Sequence, residues 1–162
     1  MPLSVGDALP DATLLRIGDN GPEQVALAAH VAGRKVAIFG MPGAFTGVCS
    51  GTHMPNLIAN AGALRDKGID EVIVVTVNDP FVNEAWDKST GAGAAGITVL
   101  ADPASEFTKA TGLTLDAPPV GFYARSQRYG LMAEDGVVKV LNTGDAPGDM
   151  ALSSADALLE KI

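Results

Sequence analysis

Three short apolar runs constrain this chain more than any other feature: Lys35-Val-Ala-Ile-Phe-Gly40, Glu71-Val-Ile-Val-Val-Thr-Val77 and Ile97-Thr-Val-Leu-Ala101. Each is rich in β-branched residues, bounded by turn formers and too short for a helix, so each reads as a buried strand. Between the first two, Leu57, Ile58, Ala61 and Leu64 follow helical spacing, and Gly68 closes the segment. Asp79-Pro80 sets a capping carboxylate before a proline at the first helical position, after which Phe81, Val82, Ala85 and Trp86 share one face. Asp102-Pro103 repeats the device ahead of Phe107, Ala110 and Leu113. Residues 129–133 and 137–141 flank Glu134-Asp135-Gly136, a hairpin turn. Ser153 opens a capping-box-like Ser-x-x-Asp, followed by the apolar stripe Ala155, Leu158, Leu159 and Ile162. Strands joined by helices, then a hairpin and a closing helix, predict an α/β fold with a central mixed β-sheet flanked by helices on both faces. No repeat or long linker divides residues 1–162, which read as one domain.

With 47% hydrophobic and 19% charged residues, the chain has the composition of a globular protein and not of a disordered one. A net charge of −8 argues against a nucleic-acid partner, whose phosphates need a basic face. No run of about 18 apolar residues is present to span a membrane. The opening Met1-Pro-Leu-Ser-Val-Gly-Asp7 has no basic-then-apolar leader. One cysteine forms no internal disulfide, which fits a reducing compartment, and a cytoplasmic protein is expected.

That cysteine, Cys49, lies where the first apolar strand hands over to a helix. The first turn of a helix offers free N–H groups and a positive dipole end, both of which favour a thiolate. A free thiol, with a pKa near about 8.5, is only about 3% ionised at neutral pH. Full ionisation therefore accelerates attack by at most about 30-fold, and less once the lower nucleophilicity is counted. A larger effect needs groups that hold a substrate and stabilise its departing charge. Thr46 offers a hydroxyl that both donates and accepts, and Pro42 can shield the sulfur from water. Arg125-Ser-Gln-Arg128-Tyr129 leads into a predicted strand and can bring a guanidinium to bind an oxyanion.

These residues carry a resemblance. Pro42-x-x-x-Thr46-x-x-Cys49 is similar to the active-site signature of the peroxiredoxins. Five further stretches resemble the branch that holds the plant type II and mammalian type V enzymes. They are Phe39-Gly-Met-Pro-Gly-Ala-Phe-Thr46, Cys49-Ser-x-Thr-His53-x-Pro55, Val77-Asn-Asp-Pro-Phe81, Leu100-Ala-Asp-Pro103 and Arg125-Ser-Gln-Arg-Tyr129. The likeness is collinear over essentially the whole chain. It implies a thioredoxin-like fold and a thiol-dependent peroxidase acting on hydrogen peroxide and alkyl hydroperoxides. Cys49 would attack the peroxide, Thr46 would hydrogen-bond it, Pro42 would shield the thiolate, and Arg128 would stabilise the thiolate and the polarised O–O bond. Arg125 is a fallback for the arginine role and otherwise a support. The resemblance implies no metal and no bound organic cofactor, and a homodimer in which the Phe45 and Phe81 loops meet.

Two departures stand out. Gly47 occupies a position where the family commonly has proline, which loosens the loop around Thr46. The resolving cysteine is absent: Val74 stands at the plant-type position, and the C-terminal region has none. A sulfenic acid at Cys49 then needs an outside thiol, with glutathione and glutaredoxin expected first and thioredoxin second.

Other features have blander accounts. Gly91-Ala-Gly93-Ala-Ala-Gly96 matches the dinucleotide pattern G-x-G-x-x-G, but a helix precedes it and a strand follows, the reverse of the required order. His53, four residues after Cys49, invites a Cys–His dyad for acyl transfer or a metal pair. Zinc needs three or four ligands and His30 is the only other histidine, so His53 is expected to be structural or interface-forming. Phe45, Phe81 and Trp86 read as core or dimer contacts. Pro147-Gly-Asp149 reads as a loop. A non-enzymatic alternative keeps Cys49 as a redox sensor or partner-binding thiol that oxidises without turnover.

Overall fold

The computed structural model describes residues 2–146 and 148–162. Pro147, and with it part of the loop expected at 147–149, lies outside the described residues. The strands are β1 (Thr13–Gly18), β2 (Gly21–Ala26), β3 (Lys35–Gly40), β4 (Glu71–Thr76), β5 (Ile97–Ala101), β6 (Thr114–Ala117), β7 (Phe122–Ser126), β8 (Tyr129–Glu134) and β9 (Val137–Asn142). The helices are α1 (Leu27–Val31), α2 (Met54–Asp66), α3 (Pro80–Thr90), α4 (Glu106–Thr111) and α5 (Ala155–Leu159). Seven strands form one mixed sheet in the order β2-β1-β5-β4-β3-β8-β9, and β6 pairs with β7 alone. The three apolar runs of the sequence become β3, β4 and β5, the parallel centre of the sheet.

Alternation along the central strands feeds two cores. Ala37, Phe39, Val72, Val74 and Val99 face α2, α3 and α5, meeting Leu57, Leu64, Trp86 and Leu158. Val36, Ile38, Ile73, Val75 and Leu100 face the other way, against Leu27 and Val31 of α1 and Phe107 of α4. Both faces are covered, which is why these strands read as unbroken apolar runs. The turn between β8 and β9 has positive φ at Asp135 (49°) and Gly136 (76°), the backbone of a two-residue hairpin. The glycine-rich stretch after α3 is a series of turns leading into β5, as its reversed order required.

Three helical expectations shift. Asp102 does not start a helix at Pro103. Its buried carboxylate accepts from the Phe107 and Thr108 N–H groups and the Thr108 hydroxyl, so α4 begins at Glu106. The cap of α5 is Ser154, which accepts from Ala157 N; Ser153 is turned inward to the Asp145 carboxylate. On α3 the buried residues are Pro80, Asn83 and Trp86, whereas Phe81 and Ala85 face outward. Asp79 caps that helix as expected, accepting from Val82 N at 2.9 Å. The β1–β2 hairpin went unread because β2, Gly-Pro-Glu-Gln-Val-Ala, is an exposed and polar edge strand.

Candidate active site

The loop after β3 carries Pro42, Thr46 and Cys49 off the carboxyl end of a central parallel strand. Two contacts from other parts of the fold and one within the loop hold it. Asn78, just past β4, accepts from Ala44 N at 2.9 Å. The Thr46 hydroxyl donates to the Gly43 carbonyl at 2.7 Å. Arg125 donates from Nη1 to the Pro42 carbonyl at 3.2 Å while its guanidinium lies 5.1 Å from the centre of the Phe122 ring. Between these anchors Phe45 adopts a left-handed φ of 60°, a strained backbone for a side chain that is 55% exposed. Gly47 opens the following helix, and Ser50 N bonds back to the Thr46 carbonyl at 2.9 Å. Thr46 is thus tied at both its hydroxyl and its carbonyl even with glycine beside it.

The helix does not run evenly into α2. Residues Cys49–His53 form a π-turn, with Met54 N bonded to the Cys49 carbonyl five residues back. Pro55 explains the wider turn: it lacks an N–H, and in a regular α-helix its ring would press on the carbonyl of Gly51. Cys49 is fully buried among Phe39, Met41, Ala44, Met54 and Trp86. The Trp86 indole donates to the hydroxyl of Ser50, next to the cysteine, at 2.9 Å. Burial of this kind is also what an inert core thiol shows. The difference lies in the neighbours.

In the pairing of β3 with β8, Gly40 stands opposite Tyr129. Arg128 is therefore set beside the loop that starts at Met41. It lines a cleft of about 910 Å³ together with Pro42, Thr46, Gly47 and Val48. Cys49 follows Val48 in the chain and is not itself exposed to the cleft. Leu115, Ala117, Val120 and Phe122 add apolar surface to the cleft, and Asp116 and Asp145 add carboxylates. Three of the four residues singled out by sequence thus share one cleft, and the fourth, Cys49, is buried and follows the cleft residue Val48 in the chain. Arg125 is kept apart from Arg128 by its bond to Pro42, in the support position.

His53 is the residue whose place sequence reasoning resolved least. It is buried and meets the Phe39 ring edge to face at 6.3 Å, a structural place within the chain. Its Nε2 lies 3.0 Å from the Ser153 carbonyl and its Nδ1 lies 3.3 Å from Arg128 Nη1. A carbonyl only accepts and a guanidinium only donates, so the proton sits on Nε2 and the Nδ1 lone pair faces Arg128. Burial, helped by the Arg128 charge, pushes the imidazole down to about 4 against the opposing pull of Ser153 and Asp145. Neither nitrogen is left for a Cys–His dyad. Among the described residues no group of three or more His, Cys, Asp or Glu side chains is gathered to hold a metal.

A family model described as Redoxin matches residues 4–159. The chain is 44% identical over 164 residues to peroxiredoxin-2E-2, chloroplastic, of Oryza sativa subsp. japonica, a match covering 99% of this chain and 72% of the relative. It belongs to the peroxiredoxin family, in the branch of the plant type II and mammalian type V proteins. Peroxiredoxin-2C of the same species is 41% identical over 162 residues, covering 99% of both chains. Among solved structures, the reduced Prx3 of Vibrio vulnificus in complex with H2O2 superposes with a TM-score of 0.91 at 39% identity, over 98% of each chain. The fold of this peroxiredoxin is thioredoxin-like, as its sequence led one to expect. No helix among its described residues is long and apolar enough to cross a membrane.

Proposed function

We propose that this peroxiredoxin is a one-cysteine thiol peroxidase whose domain spans residues 1–162 and whose reacting atom is the Cys49 sulfur. The observation that carries the reading is the convergence of Pro42, Thr46 and Arg128 on one cleft, whose wall includes Gly47 and Val48, the residues that lead into the sole thiol. In the reaction the thiolate sulfur attacks the terminal oxygen of the peroxide. An S–O bond forms as the O–O bond breaks, and two electrons pass from sulfur to the peroxide. The departing hydroxide or alkoxide takes a proton and leaves as water or alcohol, with Cys49 left as sulfenic acid. Arg128 stabilises the charge that moves onto the departing oxygen, and the Thr46 hydroxyl orients the peroxide. Pro42 keeps water off the sulfur. No metal or organic cofactor takes part.

With no second cysteine, resolution is external. One glutathione displaces water from the sulfenic acid to give a mixed disulfide, and glutaredoxin or a second thiol releases Cys49; thioredoxin is the next reductant to consider. Val74, at the position of the plant-type second cysteine, is fully buried in β4. A lone thiol suits a reducing compartment such as the cytoplasm. The exposed Phe45 and Phe81 support a homodimer closed through their loops.

The complete burial of Cys49 favours one competing reading, a redox sensor that oxidises once and slowly. Steady-state peroxide consumption with glutathione plus glutaredoxin, compared with thioredoxin plus its reductase, separates the two. Turnover that vanishes in Cys49→Ser supports the peroxidase; single-hit oxidation with neither reductant supporting turnover refutes it. Arg128→Gln is expected to slow peroxide attack by about 100-fold. Arg125→Gln, which only loosens the loop at Pro42, should slow it far less. Equal or reversed effects transfer the role to Arg125.

A further inference from the structure

The structure assigns Asp145 as a positioning residue for Arg128, acting through Ser153 and His53; the inference rests on Arg128 serving the peroxide reaction. The links are short and each has one chemical sense. Asp145 Oδ1 accepts from Leu152 N at 2.7 Å, and Oδ2 accepts from Ser153 N at 2.9 Å and from the Ser153 hydroxyl. This clamp fixes the backbone at Ser153, whose carbonyl accepts from His53 Nε2 at 3.0 Å. With that proton committed, the imidazole presents a lone pair at Nδ1, 3.3 Å from Arg128 Nη1.

Arg128 has no carboxylate within salt-bridge distance among the described residues. A free guanidinium on a long side chain samples many rotamers, and the neutral imidazole orients it without cancelling its charge. A carboxylate in direct contact would hold it as well but would compete with the charge developing on a departing oxygen. Asp145 lines the same cleft as Arg128 but forms no ion pair with it among the described residues, so it acts through Ser153 and His53, and its effect should depend on Arg128 being present.

The test is the rate of Cys49 oxidation by hydrogen peroxide, followed by fluorescence of Trp86, the only tryptophan and bonded beside the thiol. Asp145→Ala should slow oxidation by about tenfold in the parent and by less than about twofold in the Arg128→Gln background. The imidazole 15N signals should report protonation at Nε2 in the parent and a mixture of tautomers in Asp145→Ala. Two further variants guard against misfolding of the first. His53→Asn can set its amide oxygen where Nδ1 stood, toward Arg128, and should stay within about fivefold of the parent. The longer His53→Gln sets its amide where Nε2 stood, toward Ser153 and away from Arg128, and should lose about tenfold. Asp145→Ala within about twofold of the parent, an equal loss in both backgrounds, or His53→Gln outperforming His53→Asn each overturns the inference. If Arg128→Gln itself reacts as fast as the parent, the role of Arg128 has failed first, and that result is read separately.

Discussion

His53 and Gly40 show how single residues answer to their surroundings. The neutral imidazole is part of the native state, and protonating it charges a group sealed from water beside Arg128. The unfolded chain takes up this proton near about 6.5, whereas the folded chain resists until about 4. The unfolded state therefore binds more protons between those values, so stability is full above the upper one and falls as pH drops through the window. The loss should approach about 3 kcal/mol. Denaturant midpoints from pH 7 to pH 4 measure it, and His53→Asn should flatten this part of the profile. Gly40 answers to contact instead of charge. A Cβ there would lie 1.9 Å from the Tyr129 ring, which is fully buried and has nowhere to retreat. Gly40→Ala should cost about 1–3 kcal/mol in chemical unfolding. Because Arg128 precedes Tyr129, it should slow peroxide attack as well.

At the level of elements, the central strands and the closing hairpin were legible, whereas β1, β2, β6, β7 and the helix starts were not. β3, β4 and β5 are buried on both faces, so each is an apolar run that needs no partner information to be recognised. Helix starts depend on where a capping side chain points. Asp79 and Asp102 both precede proline, yet only Asp79 caps in place. At Asp102, Ser105 takes a left-handed φ of 58° and the helix begins three residues later than expected. The carboxylate still satisfies two of the free N–H groups of α4 from inside the core. Asp102→Ala would leave those donors and the Thr108 hydroxyl without a partner. Thermal or urea unfolding should register a loss of about 2–3 kcal/mol, larger than for removal of an exposed cap. The π-turn at Cys49–His53 was equally hidden, because which carbonyl accepts from Met54 is settled only in the folded helix.

On the scale of the whole molecule, Phe45 and Phe81 are among the large apolar side chains left exposed, with Val120 and Tyr123. Phe45 is 55% exposed and Phe81 63% exposed, although each sits in a segment that the fold otherwise anchors tightly. Aromatic surface of this size is expected to be covered in the working assembly. Phe45→Asp and Phe81→Asp should each convert a homodimer to monomer by sedimentation velocity at micromolar concentration, and an unchanged mass would refute pairing through these loops. The sequence by itself determined the central strands, the hairpin, the lone thiol at a strand-to-helix junction, and a proline, threonine and arginine worth testing with it. Those signals are local: apolar runs, turn residues and a fixed spacing within one loop. Only the tertiary structure decided that Arg128 and not Arg125 faces the cleft, because the choice follows from the pairing of Gly40 with Tyr129. It also decided that His53 turns a lone pair to Arg128, since its other nitrogen is claimed by a carbonyl 100 residues away. Long-range pairing leaves no pattern within a single stretch of chain, so it is read only after the chain has folded.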